Sequence, residues 1–319
     1  LCKMVQGKTK ITVEHYLGFQ KKKENYHFKF QTGKLVSFII LLAFCVLWVM
    51  PFIILVTGSL RGFYDVNNYP GEIFYPHSGY TLEAYKILLF GEYPEGMVHN
   101  KTQDYQLGYW LMNSCFSAIG GTLLYLFVAS LAAYAFTFID FKFRNVLFTF
   151  LIITMVVPGT ATAVGNQTFV FATGLNKSLL ALIIPGLGGV YGMYLIRTFF
   201  TSIPKDLIES AKMDGYSNFK IFRKIVLPLG KTVLFVQGLF GFMGGWNDLV
   251  WPQMLFGTKD TKLWTLQVGM AYIINNSKTA DLIGTSLAGG VICVLPVLVV
   301  YMIAQNKIIE GMATAGIKR

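Results

Sequence analysis

The chain alternates between long apolar runs and shorter polar stretches that carry most of its charged residues. A helix needs about 20 apolar residues to cross the hydrocarbon core of a membrane. Two runs are interrupted, one by Pro158 and the other by Asn247 and Asp248, but neighbouring helices can satisfy the backbone groups that such residues free. The pattern predicts six transmembrane helices, at Leu35–Thr57, Trp110–Phe136, Val146–Thr168, Ser178–Ile196, Thr232–Phe256 and Thr285–Gln305.

The composition also indicates a membrane protein. Of the 319 residues, 54% are hydrophobic and 13% are charged, and the mean hydropathy is +0.53. Soluble domains contain about 25% charged residues. Because so few charged side chains cannot cover a soluble globule of this size, we predict an all-α integral membrane fold.

The basic residues predict an orientation. The net charge is +11, but the charges lie between the apolar runs, which argues against nucleic-acid binding. With the N-terminus inside, segments 1–34, 138–145, 197–231 and 306–319 hold 20 of the 27 basic residues. The positive-inside rule then places both termini in the cytoplasm. We predict a basic tail at 1–34, a six-helix membrane domain at 35–305 and a C-terminal tail at 306–319.

The cytoplasmic loop at 197–231 is long for a simple connection, and its residues predict two helices. Ser202 can cap the first helix, Pro204 suits its first turn and Gly215 suits its end. The apolar face of this helix would hold Leu207, Ile208 and Ala211. The second helix would be capped by Ser217, carry Phe219, Phe222, Ile225 and Val226, and end at Pro228.

We call this pair of helices, residues 202–228, the knob. Its apolar faces need to be buried, and two solutions stay open. The knob can dock in a groove of a partner protein, as amphipathic helices do. It can also pack against the ends of the chain's own membrane helices.

The knob carries a specific motif. Glu209-Ser210-Ala211 is followed after three residues by Gly215, and after nine more by Ile225-Val226-Leu227-Pro228. This resembles the EAA loop of bacterial ABC importer permeases, in which Glu-Ala-Ala, Gly and Ile-x-Leu-Pro have the same two gaps. Ser210 is the one departure, and it replaces one small residue by another.

The resemblance implies a type I ABC importer permease fold, in which this loop is the coupling helix seated in a cleft of the ATPase subunit. It assigns ATPase coupling to Glu209, Ser210, Ala211, Asp214, Gly215, Ile225, Leu227 and Pro228.

Other segments are similar to the carbohydrate branch of that family, whose members look like the maltose permease pair. The similarity runs from about residue 35 to the end. Phe138 departs from it, because the branch usually has a basic residue there. The matching positions are Asn113-Ser114, Ala132-Ala133-Tyr134-Ala135-Phe136, Met155, Pro158, Leu195-Ile196-Arg197-Thr198-Phe199-Phe200, Ile203-Pro204, Asp214-Gly215, Trp246-Asn247-Asp248, Trp251-Pro252, Glu310-Gly311 and Ala315-Gly316.

The resemblance therefore implies a permease subunit, in a bacterial cell membrane, for a sugar or oligosaccharide that an extracellular solute-binding protein delivers. It implies a second homologous permease and two ATPase subunits as partners, besides membrane lipid, and no nucleic acid. ATP and Mg would bind to the ATPase, and no cofactor, metal or catalytic residue is expected here. Gly230-Lys231-Thr232 lacks the upstream glycine of a phosphate loop, because Ile225 occupies that position.

Asp248 is the one acidic residue within a predicted span. Placing a charge at the bilayer centre costs at least about 2.5–3.5 kcal/mol, so such residues are functional candidates. The predicted substrate pathway consists of Asn113, Trp246, Asn247, Asp248 and Trp251, whose hydrogen-bonding groups and aromatic faces suit a hydroxylated ligand. The alternative is a structural hydrogen bond near a helix end.

Three other functions compete with a sugar importer. An ABC permease for another solute, such as glycerol-phosphate, a polyamine or a peptide, shares the knob but not the carbohydrate-branch positions. A stand-alone secondary transporter or channel needs ionisable groups in its spans, and only Asp248 is present. A membrane enzyme is disfavoured, because no histidine lies in a predicted span.

Overall fold

The computed structural model describes residues 32–69, 71–72, 74–94, 105–257, 261–276 and 283–316. Most of the predicted N-terminal tail, residues 1–31, lies outside this part of the chain, as do residues 317–319. The chain divides at Pro51 into two compact units, residues 1–51 and 52–319. The described residues of the first unit belong to a single helix. The contacts that build the functional sites lie within the second unit.

The described residues form helices and no β-strand, apart from one isolated bridge between Arg61 and Tyr80. Short 3-10 turns lie at Leu175–Lys177 and Thr261–Leu263. The helices are α1 Thr32–Ser59, α2 Phe63–Asn68, α3 Glu83–Phe90, α4 Leu107–Phe138, α5 Arg144–Thr154, α6 Gly159–Ala172, α7 Leu180–Gly188, α8 Val190–Phe200, α9 Lys205–Met213, α10 Asn218–Leu229, α11 Lys231–Trp246, α12 Val250–Phe256, α13 Leu266–Asn276 and α14 Ile283–Gly316.

The predicted first, second and sixth spans are each found within one long helix. The apolar stretches Gly33–Ser59, Leu107–Phe138 and Ile283–Gln305 are long enough to cross a membrane. The structure also has three bent pairs of helices, which are α5 with α6, α7 with α8, and α10 with α11. When each pair is taken as one span, the described residues contain six candidate membrane spans. By length and composition, the all-α membrane fold is confirmed, with three unbroken spans and up to six when each bent pair is counted as one. The fourth predicted span, Ser178–Ile196, is not one straight helix, because α7 and α8 are bent by 51° at Gly189.

The third span is not the continuous helix that the apolar pattern predicted. Helix α5 ends at Thr154, α6 begins at Gly159, and the two are bent by 102°. Pro158 precedes α6 with an extended backbone, φ −61° and ψ 134°. The residue before a proline is also disfavoured in the helical region, so the chain leaves the helix at this point.

The predicted fifth span, Thr232–Phe256, is wrong as one helix. Helix α11 ends at Trp246, and a short break precedes α12. The Nδ2 atom of Asn247 donates to the carbonyl of Met243 (2.9 Å), and the backbone N–H of Trp251 donates to Oδ1 of Asp248 (3.3 Å). Short polar side chains that bond to nearby backbone compete with the helix ladder in this way.

A cluster of buried tryptophans packs α4 against α13 and the turn that precedes α13. Trp110, Trp246 and Trp264 are fully buried, and the rings of Trp110 and Trp264 lie 5.9 Å apart. Nε1 of Trp110 donates to the carbonyl of Thr261 (2.9 Å). A side chain at Gly269 would collide with the Trp110 ring, so α4 and α13 approach closely only because this position is glycine.

The segment between α1 and α4 is ordered around a buried carboxylate. Asp65, at the start of α2, is fully buried and accepts hydrogen bonds from the backbone N–H and the hydroxyl of Ser78. Arg61 donates to the carbonyls of Asp65 and Tyr69. The short helix α3 follows in this segment and buries Ile87 and Leu88.

Replacing Asp65 by asparagine is expected to loosen this segment. Burial raises the pKa of Asp65, but the Ser78 hydrogen bonds and the Arg61 charge outweigh it and hold the pKa below its usual 3.8. The carboxylate therefore stabilises the fold at pH values above about 3.9, the pKa of aspartate in the unfolded chain. This contribution is lost as the pH falls through the lower pKa that Asp65 has in the folded protein.

We expect Asp65→Asn to lower stability at pH 7 by about 1–3 kcal/mol, the range for hydrogen bonds to a charged group, as measured by thermal unfolding in detergent. The matched control is Asp140→Asn, which removes an exposed carboxylate paired with Arg144 and should change stability by less than about 1 kcal/mol. Equal effects of the two variants at pH 7 would contradict the role of Asp65.

Candidate functional site

The first knob helix, α9, ends in a glycine-dependent turn. Gly215 has φ +75°, a conformation that glycine adopts without strain. Its N–H donates to the carbonyl of Lys212 (3.0 Å), and the N–H of Tyr216 donates to the carbonyl of Ala211 (3.0 Å). This pair of bonds is the Schellman motif. Gly215 therefore ends the helix as its position in the sequence predicted.

The beginning of α9 differs from the prediction. The helix starts at Lys205, with Pro204 at the N-cap position and no side-chain cap hydrogen bond. Ser202 lies outside the helix and donates its hydroxyl hydrogen to the carbonyl of Phe199 instead (2.7 Å). The first turn of α9 is closed by backbone instead, since the N–H of Leu207 donates to the carbonyl of Pro204 (3.3 Å).

The second knob helix, α10, is capped as predicted, since the hydroxyl of Ser217 accepts the N–H of Lys220 (3.4 Å). It does not end at Pro228 but continues to Leu229 through a π-helical segment, Phe222–Val226. The chain then turns by 79° at Gly230 into α11. A side chain at Gly230 would lie 2.7 Å from Cε1 of Phe200, so the bend packs tightly against the end of α8.

One face of the knob packs against the chain's own membrane helices. Met193, Ile196 and Phe200 of α8 and Ala129, Ala133 and Tyr134 of α4 form a buried cluster with the knob. The knob contributes Ile203, Ile208, Ala211, Ile221, Phe222 and Val226 to this cluster. The knob is therefore joined to the membrane domain through a packed core, which is one of the two solutions that the sequence left open.

Outside this cluster, the knob exposes apolar side chains. Met213 is 89% exposed, Phe219 60% and Leu207 47%. Leu207 was predicted to share the apolar face of Ile208 and Ala211, but it is exposed while those two are buried. Phe219 contacts Phe222 as predicted, with ring centres 6.2 Å apart, and stays exposed at the edge of the cluster. Exposed apolar side chains of this kind can form an interaction surface, and docking of the knob on a partner protein stays a prediction.

The predicted coupling residues divide between these two faces. Glu209, Ser210, Asp214 and Gly215 are exposed around the apolar group. Ala211 is buried in the cluster, Ile225 and Leu227 are half-buried beside it, and Pro228 is exposed. We name the exposed set Leu207, Glu209, Ser210, Met213, Asp214, Gly215 and Phe219 the outer face of the knob.

An arginine fixes the base of the knob to two other helices. Nε of Arg197, in the last turn of α8, donates to the carbonyl of Phe136 at the end of α4 (3.4 Å). The guanidinium carbon lies 3.9 Å from the centre of the Phe148 ring in α5. Since α8 leads into α9 within five residues, this cation–π contact and hydrogen bond connect the position of the knob to α4 and α5.

Asp248 lies on the wall of a cavity of about 310 Å³ between α4, α7 and α11. Its Oδ1 atom accepts the Trp251 N–H, and Nε1 of Trp251 donates to the carbonyl of Ala181 (3.1 Å). The residues lining the cavity are Ser117, Gly121, Thr122, Tyr125, Leu182, Ile183, Gly186, Gly189, Gly241, Gly245 and Asp248. Glycines 241 and 245 pack against Thr122 and Ala118, and they bring α11 close to α4.

The other predicted pathway residues are not on this wall. Trp246 is buried and donates Nε1 to the carbonyl of Cys293 (3.0 Å). Asn113 is buried and donates Nδ2 to the carbonyls of Lys262 and Trp264, at 2.8 Å each. Both side chains hold helices together, so Asp248 is the member of the predicted set that faces the cavity, and Trp251 supports it.

Comparison with known proteins bears on both sites. A family model described as a binding-protein-dependent transport system inner membrane component matches residues 125–313, which include the knob and Asp248. The chain belongs to this family. It is an inner-membrane permease of an ABC importer and thus a transport subunit, and permeases of this kind work with ATPase and substrate-binding partners.

Curated relatives of the permease are named for several solutes. The arabinooligosaccharides transport system permease protein AraQ of Bacillus subtilis is 28% identical over 210 residues, covering 66% of this chain and 73% of the relative. The lactose transport system permease protein LacG of Rhizobium radiobacter is 29% identical over 209 residues, covering 66% and 74%. The sn-glycerol-3-phosphate transport system permease protein UgpE of Yersinia pestis is 28% identical over 217 residues, covering 68% and 75%.

A solved structure shares the fold. It is described as a bacterial ABC transporter involved in the import of the acidic polysaccharide alginate, and the match covers 86% of this chain and 96% of that chain, with a TM-score of 0.73 and 22% sequence identity. The type I importer permease fold implied by the EAA-like motif is thereby confirmed.

Sequence reasoning missed part of each site. Met213 and the cavity residues Ser117, Thr122 and Tyr125 were not singled out, because each lies within an otherwise ordinary helical pattern. Met213 alone had a usable signal, since it is a large apolar residue next to the predicted Asp214-Gly215 turn. The cavity residues come from helices far apart in the sequence, so only their packing brings them to Asp248.

Proposed function

We propose that this permease is one half of the membrane pathway of an ATP-driven importer for a sugar or oligosaccharide. The observation that carries the proposal is the two-faced knob, in which a buried inner face joins the membrane helices and an apolar outer face is exposed. Such an element can transmit movement between a soluble partner and the transmembrane helices.

An ATPase subunit is the proposed partner of the outer face. Leu207, Met213 and Phe219 supply the apolar centre of a helix-in-groove contact, and the exposed Glu209 and Asp214 supply polar contacts beside it. ATP and Mg would bind to the two ATPase subunits, not to this chain. Closure of the ATPases would move the knobs, and each nucleotide state would then favour one state of the helices.

The proposed pathway is shared with a second, homologous permease. The cavity beside Asp248 lies between α4, α7 and α11, and its hydroxyl and carboxylate groups suit a hydroxylated solute. An extracellular solute-binding protein would deliver that solute to the outer segments. The sugar assignment is supported by relatives named for arabinooligosaccharides and lactose, while a relative named for glycerol-3-phosphate keeps that solute class as the second candidate.

Co-purification from native membranes tests the proposal. The chain, tagged and extracted in mild detergent, is expected to bring down a second permease, an ATPase and a binding protein, as identified by mass spectrometry. Met213→Glu should lower ATPase recovery at least about tenfold, because a charge replaces an apolar contact at the centre of the outer face.

The matched control is Tyr75→Glu, which places the same charge on an equally exposed residue outside the knob. Recovery of the ATPase should be unchanged in that variant. If the tagged chain is recovered alone from several detergents, homogeneous and stable, the importer assignment is contradicted and a stand-alone transporter is favoured.

A further inference from the structure

The cavity beside Asp248 holds one charged group among neutral polar groups. Among its lining residues in the described part of the chain, Asp248 alone is charged, and Ser117, Thr122 and Tyr125 supply hydroxyls. The cavity volume, about 310 Å³, lies at the lower end of the range for small-molecule sites. The lining residues therefore carry one negative charge, on Asp248, and no positive charge.

Polar side chains and backbone both contribute to this wall. The hydroxyl of Tyr125 donates to the carbonyl of Gly189 (3.3 Å), whereas the hydroxyl of Thr122 is buried where α4 packs against Gly241. Gly121, Gly186 and Gly189 also line the cavity, so backbone is accessible there without intervening side chains.

The carboxylate of Asp248 is held in place at this wall. Its Oδ1 atom accepts the N–H of Trp251, whose indole is fixed to the carbonyl of Ala181 in α7. Through Trp251, Asp248 thus connects the break between α11 and α12 to α7, which lies on the opposite side of the cavity. A charge positioned in this way acts on a solute through its field without rearrangement.

We propose that Asp248 is a charge filter that admits neutral hydroxylated solutes to this cavity and rejects anionic ones, such as phosphorylated or carboxylated sugars. The inference rests on the proposed function and names the solute class of the same site. A sugar hydroxyl can donate a charge-assisted hydrogen bond to the carboxylate. An anion would lose hydration beside a like charge without a compensating cation from the lining residues.

The family does not by itself set this selectivity. Proteins similar to this chain include a permease named for glycerol-3-phosphate and a transporter of an acidic polysaccharide, and both solutes are anions. The fold therefore does not fix the solute charge, and in this cavity Asp248 is the lining residue that carries a charge.

Thiol labelling tests the filter independently of transport. Ser117→Cys places a reactive thiol on the cavity wall of the full-length chain in membranes, after the native cysteines are replaced by serine. The modification rate is measured for an anionic reagent, sulfonatoethyl methanethiosulfonate, and for its cationic trimethylammonioethyl analogue. Each rate is then divided by the rate at which the same reagent modifies a free thiol. The anion should react about tenfold more slowly than the cation, the order expected when a unit charge shares a partly buried site with the thiol.

Asp248→Asn is the decisive second variant, because asparagine keeps the Oδ1 acceptor for the Trp251 N–H and removes only the charge. In this variant the anion and cation rates should agree to within about twofold. The matched control, Asp206→Asn, removes an exposed carboxylate on α9 and should leave the tenfold ratio intact. Gly186→Cys provides a second reporter position, since a side chain there meets no atom within 4 Å.

The proposal is overturned if the anion and cation react equally in the Asp248 parent, or if Asp248→Asn leaves their ratio unchanged. It is also overturned if both reporter thiols are inert to both reagents while the protein remains folded, because the cavity would then be closed to solutes. Failure of the co-purification test with a normal labelling ratio would contradict the importer assignment and leave the filter standing.

Discussion

Gly215→Pro is expected to uncouple ATP hydrolysis from solute uptake. Proline fixes φ near −65°, whereas Gly215 has φ +75°. Proline also removes the N–H that donates to the carbonyl of Lys212. The Schellman turn cannot form, so Met213 and Phe219 would no longer be presented together on the outer face of the knob. In proteoliposomes that contain the whole importer, we expect uptake per ATP hydrolysed to fall at least about tenfold, because proline cannot adopt the left-handed conformation on which this turn depends.

Two variants make this experiment specific. Gly174→Pro disrupts an equivalent glycine, with φ +74° and an N–H that donates to the carbonyl of Phe171, but it lies outside the knob. Any loss in that variant should affect hydrolysis and uptake together. Gly215→Asn should retain most coupling, because asparagine tolerates the left-handed conformation.

The exposed Glu209 provides a milder test, since Glu209→Lys reverses a charge on the outer face without altering the turn. Normal uptake by Gly215→Pro at normal expression would refute the coupling role.

Asn113→Asp is expected to prevent the permease from reaching a stable folded state. Asn113 is 6% exposed, and its amide donates to the carbonyls of both Lys262 and Trp264. An ionised aspartate can only accept hydrogen bonds, so its carboxylate would face two carbonyl oxygens at about the same distance. Leaving a buried charge uncompensated costs roughly 3–5 kcal/mol, a large part of the stability of a typical domain.

The measurement is the yield of monodisperse protein together with its unfolding temperature in detergent. Asn247→Asp is the matched control, because Asn247 is exposed and makes one hydrogen bond, to the carbonyl of Met243. It should fold at close to the parental yield. If Asn113→Asp folds normally and fails only in uptake, Asn113 contacts the solute, as the sequence suggested, and is not the structural tie that its hydrogen bonds indicate.

The knob shows how far sequence reasoning could reach. The turn at Gly215 and the cap at Ser217 are local features that a few neighbouring residues determine, and the structure has them where they were predicted. The burial of the faces was not predictable in the same way. Leu207 and Ile208 are adjacent and equally apolar, yet one is exposed and the other is buried. Only the position of α4 and α8 around the knob distinguishes them.

The predicted spans show the same division. Apolar runs reveal which residues avoid water, so six spans could be counted from the sequence. The runs do not reveal bends, because a bent pair buries the same residues as a straight helix. Pro158 marks one break by a local rule, whereas the end of α11 at Trp246 depends on Asn247 and Asp248 forming side-chain bonds to nearby backbone.

The sequence by itself determined the membrane class, the approximate spans, the family motif and the candidacy of Asp248, because each depends on composition, periodicity or spacing along the chain. The tertiary structure decided what the candidate residues contact. It assigned the amide of Asn113 and the indole of Trp246 to helix packing, placed Asp248 on a cavity wall beside hydroxyls from α4, and separated the inner and outer faces of the knob. These outcomes depend on contacts between residues up to 151 positions apart, which no local pattern in the sequence records.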